Sequence, residues 1–247
     1  MALRIGVVSQ KGGVGKSTLA RLIACEYARA QWRVKIADLD LSQGTSYNWQ
    51  SRRLQQGIHP EIAVEQFATI DQALRVADAY DLMVFDGAPH ATQTTLQISQ
   101  HCQLVLLPTG ISLDDLEPTI RLAHELKHHS VPVSKIAVVL CRVGDSESEI
   151  QEARAYIQAA GYTLLEGAIP ERTAYRRASD LGRTVTETPY RSLNEKADTV
   201  MQAIVDCLEQ LETNGGPHGN HQKPKTDKRH TPTRQSTESQ LDEKGSA

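Results

Sequence analysis

The chain has 247 residues and a formal net charge of −3. That is long enough for one large α/β domain with a real core, and too near neutrality to mark the whole surface as nucleic-acid binding. Its four cysteines, Cys25, Cys102, Cys141 and Cys207, are widely spaced and fit neither a zinc pattern nor a disulfide framework, so a reducing cytoplasm is the expected setting.

Met-Ala-Leu-Arg-Ile leads straight into an apolar run, Leu3–Ser9, which predicts a first strand and leaves no room for a signal peptide. A glycine-rich turn follows, then a helical pattern over Ser17–Arg29. A second strand, Val34–Leu39, ends among the carboxylates Asp38 and Asp40, and a helix is expected over Thr45–Arg53. A weaker strand at Ile62–Gln66 and a helix over Ile70–Ala77 precede the strand Leu82–Phe85, which runs into Asp86. Then come a helix over Thr94–Gln100, a strand at Leu104–Leu107, a helix over Leu116–His128, a strand at Ile136–Leu140, and helices over Glu149–Ala160 and Ser192–Leu211. Nearly continuous apolar strands alternating with helices predict a mostly parallel β-sheet flanked by helices on both faces, with its ligand at the carboxyl ends of the strands. No apolar run approaches the ~20 residues that span a bilayer.

The turn reads Lys11-Gly12-Gly13-Val14-Gly15-Lys16-Ser17-Thr18. Glycines let the backbone curl so that successive N–H groups point at a phosphate, and the helix that follows adds its positive end. Lys16 can reach the outer phosphates and the Ser17 hydroxyl can hold a magnesium ion, so a nucleoside triphosphate is the expected ligand. Alternation along a strand puts Asp38 and Asp40 on one face, where two carboxylates could order metal-bound water and the attacking water; capping of the next helix is the other reading of either one.

Lysine at the front of the loop, where the general phosphate-loop pattern has glycine one place earlier (here Gln10), resembles the deviant Walker A loop of the ParA/MinD family of P-loop NTPases. Asp40-Leu41-Ser42-Gln43-Gly44 is similar to that family's switch I, Leu82–Asp86 to its Walker B strand, and Gly87-Ala88-Pro89 to its switch II. The resemblance spans roughly Leu3 to Leu211. It implies an ATPase domain over 1–212 that binds ATP and magnesium. Lys11, Gly12, Gly13, Val14, Gly15, Lys16, Ser17, Thr18 and Pro170 of the Ile-Pro loop would bind nucleotide. Ser17, Asp38 and Asp86 would serve the metal. Lys11, Lys16 and Asp40 would be catalytic, Lys11 by reaching across a homodimer to the partner's ATP. Cys141-Arg142 stands where some members carry a base-reading asparagine, so adenine is implied by the family alone.

Partition members of that family bind DNA without sequence preference and answer to a ParB-like or other cargo adaptor, moving a plasmid, a chromosome or another cytoplasmic cargo such as carboxysomes. Arg172, Arg176, Arg177 and Arg183, with Arg191 beyond, cluster where such proteins contact DNA phosphates; a solvated face with internal ion pairs to Glu171, Asp180 and Glu187 is the competing reading. A cytoplasmic, nucleoid-associated protein is implied. The alternative is a MinD-like or assembly-regulating switch that binds a protein partner and not DNA. The polar end, Ser236–Ala247, has no apolar stripe for a membrane.

From Thr213 onward the composition turns polar, and 213–247 is expected to be a disordered tail. Its Lys223, Lys225, Lys228 and Arg229 fit either a weak electrostatic arm or a solubilising tail. Trp32 and Trp49 read as packing residues, and Arg52 and Arg53 as cations facing the dipole at their helix's end.

Overall fold

In the computed structural model, which describes residues 1–90 and 92–214, β-strands and helices alternate along the chain. The strands are β1 (Leu3–Val7), β2 (Val34–Asp38), β3 (Ala63–Gln66), β4 (Leu82–Asp86), β5 (Leu104–Thr109), β6 (Ile136–Val143), β7 (Thr163–Leu164) and β8 (Ile169–Pro170). The helices are α1 (Lys16–Arg29), α2 (Thr45–Gln55), α3 (Ile70–Ala77), α4 (Thr92–His101), α5 (Leu113–His128), α6 (Glu147–Ala159), α7 (Thr173–Asp180) and α8 (Arg191–Asn214). The sheet runs β3-β2-β4-β1-β5-β6-β7, with β8 paired to the far end of β6. Every pairing is parallel.

Alternation along each strand divides the core into two layers. Ile5, Val7, Ile36, Leu82, Val84, Leu104 and Leu106 pack on one face against α1, α2 and α8; Ala37, Met83, Phe85, Val105 and Leu107 pack on the other against α3, α4, α5 and α6. Gly6 lies on the second face, where a Cβ would come within 2.5 Å of Ile98 on α4. All four cysteines are buried in these layers and unpaired. Burial pushes the Cys25 and Cys141 thiols up to about 12.

Three elements were not expected from the sequence: the two-residue strands β7 and β8, and the eight-residue α7, which buries only Tyr175 and Ala178. Arg53 lies in the last turn of α2, as expected, but it is also fully buried, with Nη1 and Nη2 donating to Glu187 at 2.7 and 2.9 Å. Trp49 is fully buried, its Nε1 donating to the Arg183 carbonyl at 3.0 Å. Helix α8 runs through Asn214; the rest of the tail, with its basic cluster, lies outside the described residues.

Candidate nucleotide site

Strand β1 is flanked by β4 and β5, so the chain reverses its direction of travel across the sheet there, and ligands in open α/β sheets bind at such a point. The loop between β1 and α1 occupies it. Gly13 (φ 76°) and Gly15 (φ 108°) adopt left-handed backbone that side chains rarely tolerate. Gly15 caps α1 with no side chain on the first-turn N–H groups, and that turn carries no acidic residue. The positive end of α1 is therefore left open for an anion. A Cβ on Gly15 would also press on Cys141 at 3.0–3.3 Å, so the loop can lie this low only with glycine.

A cleft of about 520 Å³ opens over the loop. Gly12, Gly13, Gly15, Lys16, Ser17, Thr18 and Pro170 line it, as does Asp40. Val14 turns into the core. Lys16 is largely buried, and its ammonium donates to the Lys11 carbonyl at 3.1 Å. Burial lowers its pKa, partly offset by Asp86 and Asp40.

The β2–β4 register sets Asp38 beside Asp86. Asp38 is fully buried: Oδ1 accepts from the Asp40 N–H at 3.1 Å, and Oδ2 from the Ser46 and Tyr47 N–H groups at 3.0 and 3.1 Å. It thus caps α2, whose N-cap residue is Gly44. Burial, with the adjacent Asp86, pushes its pKa up to about 6. Asp86 is also buried and accepts the Ser46 hydroxyl at 2.7 Å; burial raises its pKa, partly offset by Ser46, Ser17, Arg21 and Lys16. Asp40 stands at the cleft, held by the Ser42 hydroxyl (2.6 Å) and the Gln43 N–H (3.1 Å). The oxygen donors Ser17 and Asp86, next to a phosphate cradle, suit magnesium, which takes one or two protein oxygens plus substrate phosphates and water. No group of three or more His, Cys, Asp or Glu forms a self-sufficient metal cage among the described residues.

Lys11 does not line the cleft. Its ammonium bonds Asp115 Oδ1 at 2.5 Å and the Asp114 carbonyl at 2.9 Å, both at the start of α5. Asp115 also accepts the Ser112 hydroxyl at 3.1 Å and lies against Gly110, where a Cβ would sit 2.3 Å from its Oδ2. Gln10 is tied to the same helix through Glu125 at 3.0 Å.

The arginines divide between the cleft and the outer surface. Arg172, Arg176 and Arg183 line the nucleotide cleft; Arg177 is exposed outside it. Arg172 pairs with Asp145, and Arg176 with Glu171. Arg142, left-handed at φ 57°, donates from Nε to Glu171 and from Nη1 to the Gly13 carbonyl, each at 2.7 Å. The sequence does not single out Arg21, Ser46 or Ser179. An arginine inside the apolar run Leu19–Cys25 was the available signal for the first; the other two depend on contacts distant in sequence.

The profile of the CobQ/CobB/MinD/ParA nucleotide binding domain matches residues 5–185. The chromosome-partitioning ATPase Soj of Thermus thermophilus is 24% identical over 218 residues, 74% of this chain and 87% of that protein. Among solved structures, the cell division ATPase MinD of Pyrococcus furiosus aligns with a TM-score of 0.66 at 19% identity, covering 83% of this chain and 99% of that one. The septum site-determining protein MinD of Pyrococcus horikoshii OT3, complexed with Mg-ADP, aligns with a TM-score of 0.63 at 18% identity, covering 87% and 98%. These structures share the parallel, helix-covered sheet described above.

Proposed function

The chain belongs to the CobQ/CobB/MinD/ParA nucleotide-binding family, and on that premise we propose that it is a partition or positioning ATPase that hydrolyses ATP with magnesium. The convergence of Lys16, Ser17, Asp40 and Asp86 around an uncapped helix start carries the reading. The loop N–H groups and Lys16 bind and orient the β- and γ-phosphates. When bound, magnesium neutralises charge on the phosphate oxygens. Ser17 and Asp86 would hold it, with Asp38 fixing the switch I turn and the start of α2 rather than presenting a free carboxylate. Asp40, restrained by Ser42 and Gln43, orients the attacking water and takes up its proton.

In this reading ATP joins two copies of the chain. Lys11 leaves Asp115 and reaches the partner's phosphates, so the γ-phosphate favours the dimer and its hydrolysis dissolves it. The dimer binds DNA without sequence preference, and a ParB-like or other cargo adaptor stimulates turnover in the cytoplasm, on the nucleoid. No helix among the described residues is long and apolar enough to cross a membrane.

A second reading is favoured by one observation. Arg172 and Arg176 are held in ion pairs, and three of the four candidate DNA arginines line the nucleotide cleft. That suits a switch that binds a protein partner and not DNA. Binding of the purified protein to arbitrary duplex DNA, with ATP, with ADP and without nucleotide across a salt series, separates the two. Salt-sensitive binding with ATP alone supports partition on DNA. No binding in any state at low salt, with ATP binding verified, refutes it and leaves the protein-partner switch.

A further inference from the structure

Helix α1 carries a second cation that the loop motif does not include. Arg21 lies four residues after Ser17, on the same helix face and about 6 Å further along the axis. It is 5% exposed and lines the cleft. Its Nε donates to the Ser46 hydroxyl at 3.3 Å and its Nη1 to the Ser179 hydroxyl at 3.0 Å. Its Nη2 is buried with no hydrogen-bond partner among the described residues. The Trp49 ring lies 5.5 Å below the guanidinium.

No carboxylate pairs with this arginine among the described residues; Asp86 and Asp38 act on it only through space, and burial pulls its pKa down to about 10. A buried cation without a bonded counter-ion is costly, and an unmet buried donor adds to the cost. Either neighbouring hydroxyl would be satisfied as well by a neutral partner, so neither requires an arginine here. The cleft beside it is shaped for a polyanion.

We propose that Arg21 is a nucleotide ligand, its free Nη2 donating to an oxygen at the nucleoside end, either the α-phosphate or a ribose hydroxyl. Lys16 and Ser17, in the first turn of α1, serve the outer phosphates. Arg21 stands a turn further on, where its other branch holds Ser179 of α7. The planar fork keeps both serines while taking the ligand, so nucleotide, α1 and α7 become joined through one side chain. This rests on the nucleotide reading of the cleft.

The test is titration calorimetry of the full chain and of Arg21→Met and Arg21→Lys with ADP, AMP, adenosine and inorganic pyrophosphate, alongside the melting temperature of each ligand-free protein. Arg21→Met is expected to bind ADP about 10- to 100-fold more weakly, the loss of one charge-assisted hydrogen bond, with pyrophosphate binding unchanged. Equal losses for ADP and AMP without a loss for adenosine assign the α-phosphate; a loss for adenosine as well assigns the ribose. The ligand-free Met variant is expected to melt no lower than the parent, because a buried charge has been removed. Arg21→Lys retains the charge without the fork and is expected to fall between the two. ADP binding by Arg21→Met within twofold of the parent overturns the proposal, as does an Arg21→Lys protein of full affinity if the Met variant does not fold. Failure of the parent itself to bind ADP or pyrophosphate refutes instead the nucleotide reading beneath it.

Discussion

Glu187 holds the wall of the cleft to the body of the domain, and its replacement by glutamine tests how much that clamp contributes. Its carboxylate accepts both branches of the fully buried Arg53, the Arg29 guanidinium at 2.7 Å and the Thr184 N–H at 2.7 Å. The Glu187 side chain is only 9% exposed, so water does little to screen the pair. Arg53 has two further acceptors, the carbonyls of Gly182 and Pro60 at 3.0 Å each, but neither carries a charge. Glu187→Gln therefore leaves a buried guanidinium without its counter-ion, which costs about 3–5 kcal/mol, nearer the lower figure because one amide oxygen still accepts. In urea, with a slope of ~2 kcal/mol/M, the midpoint should fall by ~1.5 M at unchanged slope. The effect is pH-dependent in a known sense. Burial alone would raise the Glu187 pKa, but the bonds from Arg53 and Thr184 outweigh it and hold it below the usual value. Its contribution is thus complete above the unfolded carboxylate pKa, ~4.3, and is lost as pH falls through the lower folded value. Parent and variant should converge in stability in that acid range. A loss below 1 kcal/mol at pH 7 would mean that the pair is worth no more than a surface ion pair, and the clamp argument would be wrong.

Three further outcomes follow from the site. Asp86→Ala should abolish magnesium-dependent ATP turnover measured by phosphate release; undiminished turnover would remove Asp86 from the metal site. Lys11→Ala should keep nucleotide affinity yet lose ATP-dependent dimerisation in sedimentation, whereas Asp115→Asn, which frees Lys11 from a half-exposed ion pair worth up to ~1 kcal/mol, should raise the dimer yield by up to ~5-fold. An unchanged dimer yield in Lys11→Ala would sink the cross-subunit role.

The five principal strands could be read in advance because each is a nearly continuous apolar run, and their helices because each carries an apolar period; even the four-residue β3 was visible between turn residues. β7 and β8 are too short to carry a period, and α7 is half arginine, serine and aspartate by composition, so its helical face holds only two core residues. The phosphate loop was legible because its chemistry is local. What the loop's lysine touches was not: Asp115 is 104 residues away, and Arg53 meets Glu187 across 134. Nothing in Arg52-Arg53 distinguishes a cation that faces a helix dipole from one swallowed by the core. The short spacing Asp38-x-Asp40 likewise left catalysis and helix capping open for each carboxylate; in the fold Asp38 accepts the Ser46 and Tyr47 N–H groups at the start of α2.

The buried thiols give this protein a built-in clock. Cys141 lies directly beneath Gly15, is 1% exposed, and is held un-ionised by its surroundings. It also lines the floor of the cleft, so the rate of its capture by a thiol reagent reports how open the loop and cleft stand. A bound ligand that pins the loop should slow that rate, and no foreign reporter group is needed to observe it. Because the other three cysteines are buried as well, a single cysteine introduced on the surface could be labelled selectively while the native four keep time.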